Sequence, residues 1–186
     1  MRGPDGPESL RLLTVNVNGL GSPARARSLW ACARHQRADV IFVQETHAVD
    51  SVALEGGLRA AHGVGLPWRT TVAACPAPSP HSAGVAILAA QPPPHTLRHP
   101  PAPALHGRVL VWDWDVAAVR LRLLCVYAPT DPAAKPAFFT QLRSHLDTDR
   151  AIVMGGDWNC VTAAVQESAP CQSRAAGATA LRLLLQ

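Results

Sequence analysis

The chain has 186 residues, the length of one domain. Its 48% hydrophobic and 16% charged residues supply a packed core and exclude a disordered chain. The formal charge of +4 and a pI near 9.1 mildly favour a polyanionic partner, with the basic residues (all Arg apart from Lys135) scattered along the chain.

Met1 to Ser9 carries two Pro, two Gly and three charges and no apolar run. It reads as a disordered tail and not as a secretory signal. No stretch reaches the roughly 18 uninterrupted apolar residues of a membrane span. The expectation is an intracellular protein, of nucleus or cytoplasm, with no membrane and no obligate protein partner. Cys32, Cys75, Cys125, Cys160 and Cys171 include no C-x-x-C pair, so neither a disulfide framework nor a cysteine zinc site is indicated. Cys125 lies in an apolar run and reads as core.

In chain order, Leu10 to Val17 reads as a strand. Ser22-Pro23 then offers an N-cap and N1 pair for a helix over Pro23 to Arg37. Its Arg27, Arg34 and Arg37 read as a solvated face. Further strands are expected at Asp39 to Gln44, Trp68 to Ala73, and Ala83 to Ala89, with His81 at the start of the last. The Pro-rich stretch Gln91 to His106, with His95, His99 and His106, reads as exposed loop. Val109 to Val116 and Ala118 to Val126 are nearly contiguous and predict an antiparallel hairpin. In the first of them Leu110, Trp112, Trp114 and Val116 share one face, and Asp113 and Asp115 share the other, read as solvated. A helix over Pro136 to Leu146, a strand at Ala151 to Met154 and a helix over Ala175 to Leu185 complete the list. Leu12, Val43, Leu124 and Ile152 are the expected buried sheet positions. Mixed strand pairing with intervening helices predicts an α/β or α+β sandwich.

Four of these strands run into oxygen-bearing residues: Asn16-Val17-Asn18-Gly19, Gln44-Glu45-Thr46-His47, Tyr127-Ala128-Pro129-Thr130 and Gly155-Gly156-Asp157-Trp158-Asn159. Sites collect where the carboxyl ends of strands meet. Asn, Glu, Asp and Asn form a hard, oxygen-only donor set suited to magnesium or manganese and not to zinc. Each piece also has an ordinary reading. Asn18-Gly19 and Gly155-Gly156-Asp157 are turn signals, Gln44-Glu45-Thr46 a solvated strand end, Tyr127 a core tyrosine, His47 a loop histidine, and Trp158 a packing residue.

Taken in order, Asn16-x-Asn18-Gly19-Leu20, Gln44-Glu45-Thr46-His47, Ser82-Ala83-Gly84-Val85-Ala86-Ile87-Leu88, Val126-Tyr127-Ala128-Pro129 and Gly155-Gly156-Asp157-Trp158-Asn159 resemble the motifs of the endonuclease/exonuclease/phosphatase superfamily. The variant is most similar to the apurinic-type endonuclease domain of LINE-type non-LTR retrotransposons. The resemblance runs from about Leu10 to the end. It implies a four-layer sandwich of two mixed β-sheets covered by helices, and a magnesium-dependent (or manganese-dependent) endonuclease acting on DNA. Glu45 then resembles the main metal carboxylate, and Asn16 the Asn that ligates or supports the metal. Asp157 resembles the residue that orients or deprotonates the attacking water, Asn159 the one that holds the scissile phosphate, and Tyr127 the one that contacts phosphate or assists the leaving group. Asp157 and Asn159 also count among the metal-side residues. Asn18, His47, Thr130 and Trp158 are possible substrate contacts. Thr130 stands where the family often has Asn. The family's closing Ser-Asp-His strand finds no match after Asn159, so the resemblance implies a domain over 10–186 that lacks its last strands and is at best a weak nuclease alone. A phosphatase on the same fold, and a remnant that merely binds nucleic acid or metal, are the alternatives.

Overall fold

The computed structural model describes residues 10–62, 71–90, 92–100, 102–116 and 118–160. The expected N-terminal tail, residues 68–70 of one expected strand and the expected helix at 175–185 lie outside the described residues. Among the described residues, two four-stranded sheets pack face to face. One has the order β1 (Leu12–Asn16), β2 (Val40–Gln44), β4 (Val85–Ala89), β3 (Thr71–Cys75). The other runs β5 (His95–His99), β6 (Val109–Val116), β7 (Val119–Tyr127), β8 (Ala151–Asp157). Each sheet is mixed: β1–β2 and β7–β8 are parallel and the other pairs antiparallel. Helices α1 (Pro23–His35) and α2 (Ser51–His62) cover the first sheet, and α3 (Lys135–Arg143) covers the second. The four-layer sandwich expected from the sequence is the observed architecture.

Period-two alternation distributes the side chains over three apolar layers. Val40, Phe42, Val85, Ile87, Trp112, Trp114, Leu123 and Cys125 fill the space between the sheets. Ile41, Val43, Ala86 and Leu88 turn the opposite way, onto Leu29 and Trp30 of α1 and Leu54 and Leu58 of α2. Val109, Val111, Leu124 and Val126 pack against Phe138, Phe139 and Leu142 of α3. Central strands β2 and β4 are therefore buried at every position, as a sheet covered on both faces requires. Helix α1 begins as its sequence predicts, with Ser22 Oγ accepting from the Arg25 N–H and Pro23 at the first turn. Arg27, Arg34 and Arg37 are exposed.

Several expectations need correction. Leu12 and Ile152 are 47% and 36% exposed, whereas Val43 and Leu124 are fully buried. The first two sit on β1 and β8, the terminal strands of their sheets, which are only partly covered among the described residues. Part of the expected loop is a strand: β5 pairs antiparallel with β6 although four of its five residues are exposed, and Leu105 nearby is buried. Helix α2 was not expected. His81 lies in the turn closed by the Ser79–Ser82 bridge, ahead of the strand. Asp113 is not on a solvated face. It is 3% exposed beneath Arg122, Arg150 and His99.

Candidate active site

The two parallel strand pairs place four carboxyl-terminal strand ends side by side. Asn16 ends β1 opposite Gln44 of β2, and Tyr127 ends β7 opposite Asp157 of β8. Glu45 thus follows, and Tyr127 ends, a strand paired on both sides, while Asn16 and Asp157 end the terminal strands β1 and β8 beside them. The sheets pack so that these ends converge. Asn16 Nδ2 lies 2.7 Å from Glu45 Oε1 and 3.0 Å from Asp157 Oδ2, one amide donating to two carboxylates from different sheets. Its Oδ1 accepts from the Asn18 backbone N–H at 3.0 Å and fixes the amide's orientation.

The backbone here is unusual. Among the described residues six non-glycine residues adopt positive φ; apart from Arg37 after α1, they are Asn18, Glu45, His47 and Asn159 just past these strand ends and Ala83 just before β4. Asn tolerates that region, but Glu and His do not adopt it without cost. The surroundings hold them there. Gly19 N donates to Glu45 O at 2.6 Å, Thr46 N to Gly84 O and His47 N to Ala83 O at 3.0 Å each. Gly84 (φ +86°) is required at this approach, because a Cβ there would meet Thr46 Oγ1 at 2.3 Å. Strain over-determined by neighbours clusters where geometry serves function.

The electrostatics favour an ionised carboxylate at Glu45. Burial raises its pKa, but hydrogen bonds from Asn16, Tyr127 and His47 outweigh burial and hold it below its ordinary value. His47 Nε2 lies 3.3 Å from Glu45 Oε2. Burial and the Glu45 carboxylate push the Tyr127 phenol up to about 12, so its hydroxyl stays a donor at neutral pH. The Arg108 guanidinium lies 5.2 Å from the centre of the Tyr127 ring.

Asp157 and Asn159 are locked together. The Asn159 N–H donates to Asp157 Oδ1 at 3.0 Å, and Asn159 Nδ2 donates to Ala128 O at 2.8 Å, across to the β7 end. The structure thus brings Asn16, Glu45, Asp157, Asn159, Tyr127 and His47 into one linked group. Asn18 is exposed beside it and its carbonyl accepts from Arg25 Nη1. Thr130 is exposed in the loop after β7. The Trp158 ring turns away, stacking on Phe139 of α3 at 6.3 Å.

Sequence reasoning passed over two supports. Lys135 is 1% exposed, and its ammonium donates to the Asn159 carbonyl. Gln44 is equally buried and joins Thr14 Oγ1 to Cys125 Sγ between the sheets. Lys135 is the one lysine of the chain, and a lone lysine next to Pro at the start of an apolar helix was a usable signal.

No group of three His, Cys, Asp or Glu converges among the described residues. The set at the strand ends is instead two carboxylates with two amides, and the carboxylates supply the anionic oxygens while Asn16 turns its Nδ2 between them. Two carboxylates aimed at one amide nitrogen leave negative potential that a hard divalent cation fits. Glu45, Asp157, Asn16 and Asn159 are the residues that would hold it.

Residues 13–174 match the family model described as Endonuclease/Exonuclease/phosphatase family. The chain is 26% identical over 181 residues to the Transposon TX1 uncharacterized 149 kDa protein of Xenopus laevis, covering 95% of this chain and 13% of that protein. Among solved structures, it superposes on the AP endonuclease LMAP of Leishmania major with a TM-score of 0.73 at 18% identity, covering 95% of this chain and 66% of that one. The endonuclease domain of TRAS1, a telomere-specific non-LTR retrotransposon, gives 0.63 at 14% identity, with 95% and 70% covered. The 3′ phosphatase NExo of Neisseria, bound to product DNA hairpin, gives 0.63 at 17% identity, also with 95% and 70% covered. The chain therefore spans a small part of the curated relative and about two-thirds of these structures. With its fold in agreement and the family model matched over most of its length, the chain belongs to the endonuclease/exonuclease/phosphatase family.

Proposed function

We propose that the chain is a magnesium-dependent (or manganese-dependent) endonuclease that hydrolyses phosphodiester bonds in DNA, and that it descends from a retrotransposon. The observation that carries this reading is the meeting of Asn16, Glu45 and Asp157 at the ends of strands from both sheets. The transposon relative and the retrotransposon endonuclease structure support the descent.

When bound, a divalent cation neutralises the phosphodiester and stabilises the leaving oxygen. The chain's own residues do the rest. Glu45, held ionised by its three donors, serves as the anionic ligand. Asn16 spaces Glu45 from Asp157 and keeps two like charges at a fixed separation. Asp157 Oδ2 faces the site, while Oδ1 is occupied by the Asn159 N–H. Oδ2 already accepts from Asn16 Nδ2, and its second lone pair is the one available to orient an attacking water and accept its proton. Asn159, anchored through Nδ2 to Ala128 O, offers its amide to the phosphate. Tyr127, protonated at neutral pH, offers a hydroxyl on the β7 side.

The test is nicking of supercoiled plasmid with magnesium, with and without EDTA, by the chain and by Glu45→Gln. The expected result is EDTA-sensitive nicking that falls at least about a hundredfold in the variant. Nicking that survives Glu45→Gln would overturn the site, and no nicking at any magnesium concentration would overturn the activity. Release of phosphate from 3′-phosphorylated DNA in place of nicking would establish the phosphatase alternative.

A further inference from the structure

A cleft of about 420 Å3 lies between the starts of α1 and α2, walled by Leu20, Thr46, His47, Leu54, Gly57 and Leu58. We propose that it receives one unpaired nucleobase of the DNA strand being cut, a step that rests on the nuclease reading above. Its volume is that of a small-ligand pocket. The lining is largely apolar, with Ala26, Leu54 and Leu58 buried. No Lys or Arg lines it, so its chemistry suits an uncharged ring and not a phosphate. Polar side chains are few: Ser22, Thr46, His47 and Asp50, with Ser22 Oγ already accepting from the Arg25 N–H and Asp50 Oδ1 from the Val52 N–H. Apolar walls with a sparse polar edge match the flat faces and polar rim of a base.

Position supplies the link to the site. His47 is a wall of the cleft, and its Nε2 is 3.3 Å from Glu45 Oε2. A strand crossing Glu45 therefore passes the mouth, where Val49 is 56% exposed and forms an apolar rim.

The bare backbone of α2 points the same way. Glycine inside a helix is unfavourable, yet α2 carries Gly56 and Gly57 at its centre. A Cβ built on Gly57 meets no atom within 4 Å, so the cleft wall there is backbone open to a ligand. Gly56 is equally open but lies outside the cleft, which makes it a matched control.

The experiment compares the chain with Gly57→Leu and Gly56→Leu. The probe is a DNA duplex with 2-aminopurine placed in turn at each position around the nick, bound in EDTA so that nothing is cut. Leucine at either position improves helix propensity, so both variants should melt no lower than the parent. The parent and Gly56→Leu should unstack 2-aminopurine at one position. Gly57→Leu should lose that signal and bind about tenfold more weakly. The affinity difference should vanish when that nucleotide is an abasic spacer. Identical binding and fluorescence for all three proteins would overturn the pocket, as would an equal loss on the abasic duplex. Cutting that depends on Glu45 but ignores Gly57 would refute the pocket and leave the nuclease reading standing. Gly57-dependent unstacking without cutting would do the reverse.

Discussion

Replacing Asp113 by Ala should be among the most destabilising single changes outside the core. Asp113 lies on the α3 side of the second sheet, 3% exposed. Its Oδ1 accepts from Arg122 Nε at 2.8 Å. Its Oδ2 accepts from Arg122 Nη2 at 2.8 Å and meets Arg150 Nε at 3.2 Å and His99 Nε2 at 2.7 Å. Four strands or their flanks are tied through one carboxylate. Removing it leaves the largely buried Arg122 guanidinium without its counter-charge, whereas Arg150 keeps Asp115, and breaking a buried pair such as Asp113–Arg122 costs about 3–5 kcal/mol. For a chain of this size that is a fall in melting temperature of roughly 6–20 °C. Burial raises the Asp113 pKa, but Arg122 and His99 outweigh it and hold the carboxyl below its ordinary value. A depressed pKa stabilises above the unfolded value, near pH ~4, and that stabilisation is lost as pH falls through the folded value. The gap between parent and variant should therefore be full at neutral pH and should narrow in strong acid. Urea and thermal denaturation followed by circular dichroism across that range would measure it. A fall under about 2 °C at pH 7, or a gap that does not change with acid, would refute the reasoning.

Three further outcomes follow. Gly155→Ala would bring a Cβ to 2.4 Å from Phe42 Cδ2, so the ring or β8 must shift. Urea denaturation should show a loss of about 1–3 kcal/mol, and nicking should drop further because β8 carries Asp157. Lys135→Met removes the donor on the Asn159 carbonyl and should slow nicking by roughly ten- to a hundredfold while the circular dichroism spectrum stays that of the parent. Leu12→Thr, at a half-exposed position of an outer strand, should change stability by no more than about 0.5 kcal/mol, measured by the same denaturation assay.

Hydrophobic pattern made the layers legible. Every expected strand within the described residues is present, because runs such as Val40–Gln44 and Val85–Ala89 are apolar throughout and read as strands buried on both faces. Residue chemistry made the site legible, since Asn16, Glu45, Asp157 and Asn159 all end or follow expected strands. What failed was information held by partners. β5 has an exposed pattern and lies among prolines, and its pairing with β6 specifies it. α2 hides its helical signal behind Gly56-Gly57, and its burial comes from contact with α1 through Leu54 and Leu58. Asp113 alternates with Trp112 and Trp114 as a solvated residue would. Arg122 covers it as its direct cross-strand partner in the β6–β7 hairpin, and Arg150 reaches it from the approach to β8, farther along the chain. Leu12 fits a buried pattern but lies on a terminal strand, which strand composition does not encode.

The hydrogen bond from Asn16 to Asp157 spans 141 positions of sequence. Synthesis at roughly 5–20 residues per second puts about 7–28 s between the appearance of these two residues. The first sheet can pair its strands early, since β1 to β4 are complete by Ala89. The site cannot exist until β8 has been made and laid parallel to β7, a non-local pairing of the kind that forms late. Throughout that interval the growing chain carries Glu45 with no Asp157 opposite. Any hydrolytic capacity is withheld until nearly the whole of the two sheets has docked.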